Sequence, residues 1–298
     1  MMQLALWVEF FDELQHVRGR SLNTVMAYRR DLELYIQYLE KGSDSVRGFY
    51  QYMNEQNLSV RSQARVISSL RTYFKFLETR GKKAPQLNEL RPPKVKIALP
   101  KALTHEEFEK LYAACTVEDE LKTQRNQMTL LFLYGLGCRV SELIGLNLAD
   151  FNETGPWMRV VGKGNKERLV PLTNKIVERL KIYLEQVRPA MIKDQGQSIL
   201  VNDRGHKPSR VDVWRWLAAW SQKAGFSETV NPHRFRHGCA TALLEQGADL
   251  RSIQMLLGHA SIQTTQIYTT VTHQQMNKEV EEHHPLSKVE QLVTTPSP

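Results

Sequence analysis

The segment Arg91-Pro-Pro-Lys-Val-Lys-Ile-Ala-Leu-Pro-Lys101 constrains this chain more than any other stretch, because it holds three prolines in eleven residues. Proline has no N–H to donate and its ring clashes with the preceding turn, so no helix can run through it. Four basic residues in the same segment favour an extended, solvated connection. The chain is therefore expected to fold as two bodies, and 298 residues suffice for each to bury its own core. The expected division is a first domain over 1–90, a linker over 91–101, a second domain over 102–284 and a tail over 285–298.

Before the linker, Leu22, Val25, Met26, Leu32, Ile36 and Leu39 recur at helical spacing and Gly42 follows as a stop. Val66, Ile67, Leu70, Phe74 and Leu77 form a second stripe over Ser59–Glu78. After the linker, Thr104 and Glu107 make a capping box for a helix through Ala114, and a helix is expected over Gln124–Leu136. Trp157–Val161 and Glu167–Leu172 read as two strands joined by a glycine-containing turn. Helical stretches follow near Lys175–Val187, Arg210–Ala224, Pro232–Gln246 and Leu250–Leu257. The fold class expected is mainly α, with a small β hairpin in the second domain.

Lysine and arginine outnumber acidic residues 40 to 32, a formal charge of +8. That surplus suits an anionic partner such as nucleic acid, where neutralised phosphates release counterions. Cys115, Cys138 and Cys239 show no paired spacing and read as small buried hydrophobes in a reducing compartment. The apolar N-terminus lacks a basic flank and contains Glu9, Asp12 and Glu13, and Met128–Cys138 is too short to span a bilayer. A cytoplasmic chain without a membrane partner is expected.

Candidate chemistry is concentrated in the second half. In Asn231-Pro-His-Arg-Phe-Arg-His237, Asn231 can cap a helix and Pro232 suits its first position. His233 and Arg236 then share a face near the helix N-terminus, their Cβ atoms roughly 5–6 Å apart, where an anion is favoured. His233 and His237 lie four apart, but zinc needs a third ligand, and Arg234 stands where a metalloprotease places its glutamate. Asp249 caps the next helix and Gly258 stops it, so His259 leaves at a defined point, nine residues before Tyr268. Gly162-Lys163-Gly164 lies at the hairpin turn but lacks the ending of a nucleotide-phosphate loop, so ATP is not indicated. Arg139, in Gly-Cys-Arg-Val-Ser-Glu-Leu143, is either paired with a neighbour such as Glu142 or aimed at an anion.

Together, Gly-Cys-Arg139-Val-Ser-Glu-Leu, Gly-Lys163-Gly-Asn-Lys-Glu-Arg, His233-Arg-Phe-Arg236-His, Leu-Leu-Gly-His259 and Thr-Thr-Gln-Ile-Tyr268 resemble the motifs of the tyrosine recombinase (phage-integrase-like) family, most closely its bacterial Xer branch. Ser21-Leu-Asn-Thr-Val-Met-Ala-Tyr28-Arg-Arg-Asp-Leu32 is similar to the family's helical core-binding domain. Cys138 and Phe235 stand where leucine is frequent.

The resemblance implies a two-domain clamp on double-stranded DNA bearing a specific recombination site. It implies Tyr268 as nucleophile forming a 3′-phosphotyrosine, with Arg139, Arg236 and His259 stabilising the phosphate. Lys163 would protonate the departing oxygen and His233 would assist proton transfer, with no cofactor and no metal. Arg61, Ser62 and Arg65 on the Ser59–Glu78 helix, and Lys166 at the hairpin, are candidates for reading DNA.

The implied assembly is a homotetramer, or a heterotetramer with a related recombinase, passing through a Holliday junction, with a regulatory DNA translocase as a further partner. Chromosome or plasmid dimer resolution is the expected role. The alternatives are integration of a mobile element, type IB topoisomerase-like activity, and a DNA-binding module with a decayed active site. Leu286, Val289, Leu292 and Val293 suggest a short amphipathic tail, set off by Pro285, that docks on a neighbouring protomer.

Overall fold

The computed structural model describes residues 2–42, 45–82, 84, 90–93, 101–152, 155–162, 164–258 and 278–287. The chain divides into two compact units, Met1–Ala98 and Leu99–Pro298.

The first unit contains α1 (Met2–Asp12), α2 (Leu22–Glu40), α3 (Val46–Glu55) and α4 (Val60–Thr79). Serines start the last two: the Ser45 hydroxyl accepts the Gly48 N–H at 3.0 Å, and the Ser59 hydroxyl accepts the Ser62 N–H at 3.2 Å. Phe10, Leu32, Phe49, Met53, Ile67, Leu70 and Phe76 fill the core. Asp31 is buried on α2 and accepts from Ser69 Oγ at 2.7 Å and from Arg65, which ties α2 to α4. The chain past α4 remains attached to this unit: Leu90 is buried, its carbonyl accepts from Arg71, and the Arg91 carbonyl accepts from Tyr50. Helix α3 was not anticipated from the sequence.

The second unit is built on α6 (Glu120–Gly135), which is buried on nearly every side from Met128 to Gly135. A helix apolar all round belongs at the centre of a domain. It starts four residues before the expected Gln124, because Asp119 caps it by accepting the Lys122 N–H at 3.1 Å. The capping box of α5 (His105–Ala114) forms as read. Beyond α7 (Val140–Leu143) lies a three-stranded antiparallel sheet of β1 (Phe151–Asn152), β2 (Trp157–Val161) and β3 (Glu167–Pro171). The β2–β3 pair is the expected hairpin, with Trp157 opposite Pro171 and Val161 opposite Glu167. The short β1 is an addition.

Then come α8 (Asn174–Ile182), α9 (Arg188–Met191), α10 (Arg210–Lys223), α11 (Pro232–Glu245) and α12 (Leu250–Leu257), and a helical stretch over 278–283. The helical class with a small sheet stands. All three cysteines are buried and free, and no helix among the described residues is long and apolar enough to cross a membrane.

One boundary needs correction. Pro285 and Leu286 do not leave the body as a separate tail: both are buried, and Leu286 belongs to the core of this chain's own second unit. Its apolar side chain is satisfied within this chain. Residues 288–298 lie outside the described residues.

Candidate active site

Helix α6 ends at Gly135, and the chain turns through Leu136, Gly137 and Cys138 before Arg139 starts α7. Gly137 has φ +55°, which favours glycine, and a Cβ there would lie 2.6 Å from Leu257 Cδ2, so that side chain would have to shift. The turn delivers Arg139 beside Glu142. The Glu142 carboxylate accepts the Arg139 backbone N–H at 3.0 Å and Arg139 Nη1 at 2.7 Å. It also accepts Arg168 Nη2 at 2.8 Å. Of the two readings of Arg139, the pairing with Glu142 is the one present, and the side chain remains 41% exposed.

Arg236 projects from α11 onto the same turn. Its Nη1 donates to the Gly137 carbonyl at 2.8 Å, and its Nη2 donates to the Leu257 carbonyl at the end of α12. Arg168 Nε takes the neighbouring Leu256 carbonyl at 2.8 Å. Two guanidiniums thus satisfy carbonyls that a helix C-terminus leaves without partners. The result is three guanidiniums around one carboxylate.

Burial alone would raise the Glu142 carboxyl, but the hydrogen bonds and charge of Arg168 and Arg139 overcome it and hold it below the usual carboxylate range. Arg236 is drawn down to about 10, first by burial and then by the like charges of Arg139 and Arg168. It stays protonated at neutral pH. A cluster with surplus fixed positive charge, oriented through backbone carbonyls, is prepared for an anion with several oxygens.

His233 is exposed in the first turn of α11, where Asn231 caps the helix by accepting the His233 and Arg234 N–H groups at 3.0 and 3.2 Å. Arg234 is turned away, donating to Glu107 and to the Lys101 carbonyl. Phe235 is in the core. Among the described residues, no group of three His, Cys, Asp or Glu could hold a metal ion. Cys138 is buried beside the arginines, and burial pushes its thiol up to about 12, so it offers no thiolate.

Lys163, His259 and Tyr268 lie outside the described residues. The residues before the first two adjoin the cluster. A Cβ on Gly162 would sit 3.3 Å from Glu142 Oε1, and one on Gly258 would sit 3.0 Å from Arg168 Cδ. Gly258 has φ +67° and is the stop expected for α12.

Of the residues expected to read DNA, Lys166 is exposed at the hairpin and Arg61 is exposed on α4. Ser62 completes the Ser59 cap, and Arg65 is engaged by Asp31. Sequence reading passed over Arg168 as a participant. Its signal was present: it shares the inward face of β3 with Val170, where a cation must find a partner.

Residues 101–275 match the phage integrase family, and residues 8–81 match the phage integrase N-terminal SAM-like domain. The chain belongs to the phage integrase family. It is 37% identical to the tyrosine recombinase XerD of Staphylococcus epidermidis, over 93% of this chain and 97% of that protein. XerD of Listeria monocytogenes is likewise 37% identical, over 90% of this chain and 94% of its own length. XerD of Shewanella oneidensis is 34% identical, over 93% and 95%. The chain therefore stands in the Xer branch and is a tyrosine-type site-specific recombinase.

Two solved structures share its fold. One is the XerH site-specific recombinase bound to palindromic difH substrate in a post-cleavage complex, at TM-score 0.66 and 22% identity, covering 89% of this chain and 81% of that one. The other is a lambda integrase dimer bound to a core site, at TM-score 0.64 and 18% identity, covering 92% and 76%.

Proposed function

We propose that this recombinase cleaves and rejoins double-stranded DNA at a specific site through a covalent bond to Tyr268. The observation that carries the reading is the cluster of Arg139, Arg236 and Arg168 around the single carboxylate of Glu142. Phosphoryl transfer depends mainly on positioning and on electrostatic stabilisation of the equatorial oxygens, and two oriented guanidiniums supply both.

The Tyr268 hydroxyl loses its proton and attacks the scissile phosphorus, forming the phosphorus–tyrosyl oxygen bond as the bond to the 5′ oxygen breaks. The departing 5′ oxygen takes the electron pair and a proton from Lys163, with His259 and His233 assisting charge stabilisation and proton transfer. One phosphodiester replaces another, so rejoining by a 5′ hydroxyl needs no external energy. The first unit and the hairpin would grip the duplex, with Arg61, Ser62, Arg65 and Lys166 among the contacts.

A tetramer on two sites, of this chain alone or with a related recombinase, exchanges strands through a Holliday junction. Its role is resolution of chromosome or plasmid dimers in the cytoplasm, under control of a DNA translocase. Likeness to three XerD proteins along most of their length supports that role. The test is a nicked suicide duplex offered to the wild type and to Tyr268→Phe, followed by a two-site exchange assay. Wild type should form an SDS-resistant adduct, the Phe chain none, and both should bind DNA alike. An adduct with the Phe chain would overturn the assignment, and relaxation without exchange would favour a topoisomerase.

A further inference from the structure

Gly135 closes α6 four residues before Arg139, and a side chain there would have to displace its neighbours. A Cβ there would lie 2.6 Å from Ile176 Cδ1, 3.2 Å from Leu286 Cδ1 and 3.8 Å from His284 Cε1. Its carbonyl is among those that a helix cannot satisfy from within. His284 satisfies it: the imidazole Nε2 lies 3.0 Å from the Gly135 oxygen.

The other ring nitrogen fixes the tautomer. His284 Nδ1 accepts the Leu286 backbone N–H at 3.1 Å, so the ring proton is on Nε2 and is donated to Gly135. His284 has no solvent exposure, and the turn around it is closed by Ser287, which donates to the His284 carbonyl. The titratable group facing the ring is the Cys239 thiol of α11, 3.9 Å from Nε2. Burial pushes that thiol up to about 12 and pulls the imidazole down to about 4, so both are neutral at physiological pH. Apolar packing alone would need no imidazole here. A buried ring with both nitrogens committed holds a particular backbone position.

That position is the base of the arginine turn. Between Gly135 and Arg139 the chain also supplies the Gly137 carbonyl that orients Arg236 at 2.8 Å. We propose that His284 is a positioning residue of the strand-cleavage reaction, its Nε2–H bracing the end of α6 and, through it, the turn that aims Arg139 and Arg236. The inference rests on the reading above, in which those two arginines hold the scissile phosphate. It makes the 284–287 turn part of the support of the active site rather than a covering of the core.

The test compares side chains that reach different distances in the full-length protein. In His284→Gln the amide nitrogen reaches the level of Nε2 and can still donate to Gly135. In His284→Asn the amide ends at the level of Nδ1 and cannot. Single-turnover cleavage of the nicked duplex at saturating protein, half-site affinity and the thermal midpoint are measured for each.

The Gln chain should cleave within about threefold of wild type, and the Asn chain about tenfold or more slowly, with matching half-site affinity and similar losses of thermal midpoint. If the Asn chain does not fold, His284→Met, which spans the same length without a donor, takes its place with the same expected loss. Equal cleavage by the Gln and the donor-free chains, or rates that merely follow the thermal midpoint, would overturn the proposal. Absence of any wild-type adduct in the same assay, or its persistence in Tyr268→Phe, would instead count against the phosphotyrosine reading.

Discussion

Arg168 and Glu142 meet at 2.8 Å with side chains only 6% and 1% exposed, a buried ion pair joining β3 to α7. Because the other oxygen of Glu142 takes Arg139, this pair also bears on the position of Arg139. Removing one member of a buried pair strips a charge of its compensation, which costs far more than losing a surface contact. Arg168→Met should therefore destabilise the protein by about 3 kcal/mol, the low end of the range for stripping one partner, since Arg139 still engages Glu142. Urea unfolding gives the figure, and a loss below about 1 kcal/mol would show that the pair contributes little.

Arg236→Lys should keep half-site binding and lose cleavage by about 10²–10³-fold. Lysine carries the charge but cannot donate in two fixed directions, to the Gly137 and Leu257 carbonyls, while facing a phosphate. Single-turnover cleavage set against a gel-shift titration separates the two effects. A lysine chain that cleaves like wild type would reduce Arg236 to a bulk charge.

Gly137→Ala should be impaired in both folding and cleavage. The φ of +55° costs a side-chain-bearing residue about 1–2 kcal/mol, and the added methyl would meet Leu257, whose carbonyl anchors Arg236. Thermal unfolding and cleavage are expected to fall together, and wild-type behaviour in both would show that the turn relaxes freely.

Lys163→Ala should cleave ordinary DNA slowly yet be largely rescued by a duplex with sulfur at the 5′ leaving position. A thiolate departs without a proton, so the general acid becomes dispensable. Equal damage on both substrates would remove Lys163 from that role. Cleavage by the wild type should also persist in excess EDTA, and loss on chelation that zinc or magnesium restores would revive His233 and His237 as ligands.

Stability should fall with acid in two stages. His284 has a folded-state pKa pulled down to about 4 from an ordinary 6.5, so its contribution is complete above pH 6.5 and is lost as pH falls towards 4. The loss is on the order of 3 kcal/mol. Glu142, held below its ordinary 4.5, contributes above that value and loses its share only at lower pH. Unfolding free energies between pH 7 and 4 should show the first stage in wild type and a flatter profile in His284→Gln.

Much of this was legible beforehand because it depends on neighbours in sequence. Asp249 and Gly258 bound α12 as read, since a cap and a left-handed stop each act within one turn. Thr104 and Glu107 did the same for α5. The start of α6 was misplaced because Glu120 to Thr123 show no apolar repeat, and only the Asp119 cap marks it. Pro285 read as a break, which it is locally. That Leu286 beside it packs into the core of the same unit depends on residues supplied by other elements.

The sequence by itself determined the two-body plan, through prolines that exclude a helix, and it supplied the candidates for the chemistry, through motifs whose members lie within a few positions of one another. The tertiary structure decided what holds those residues in place. Arg168 meets Glu142 across 26 positions and His284 meets Gly135 across 149. Pairings at such separation leave no local pattern, because backbone dihedrals and side-chain spacing record only the nearest turns, and a buried polar group finds its partner only when the core closes around both.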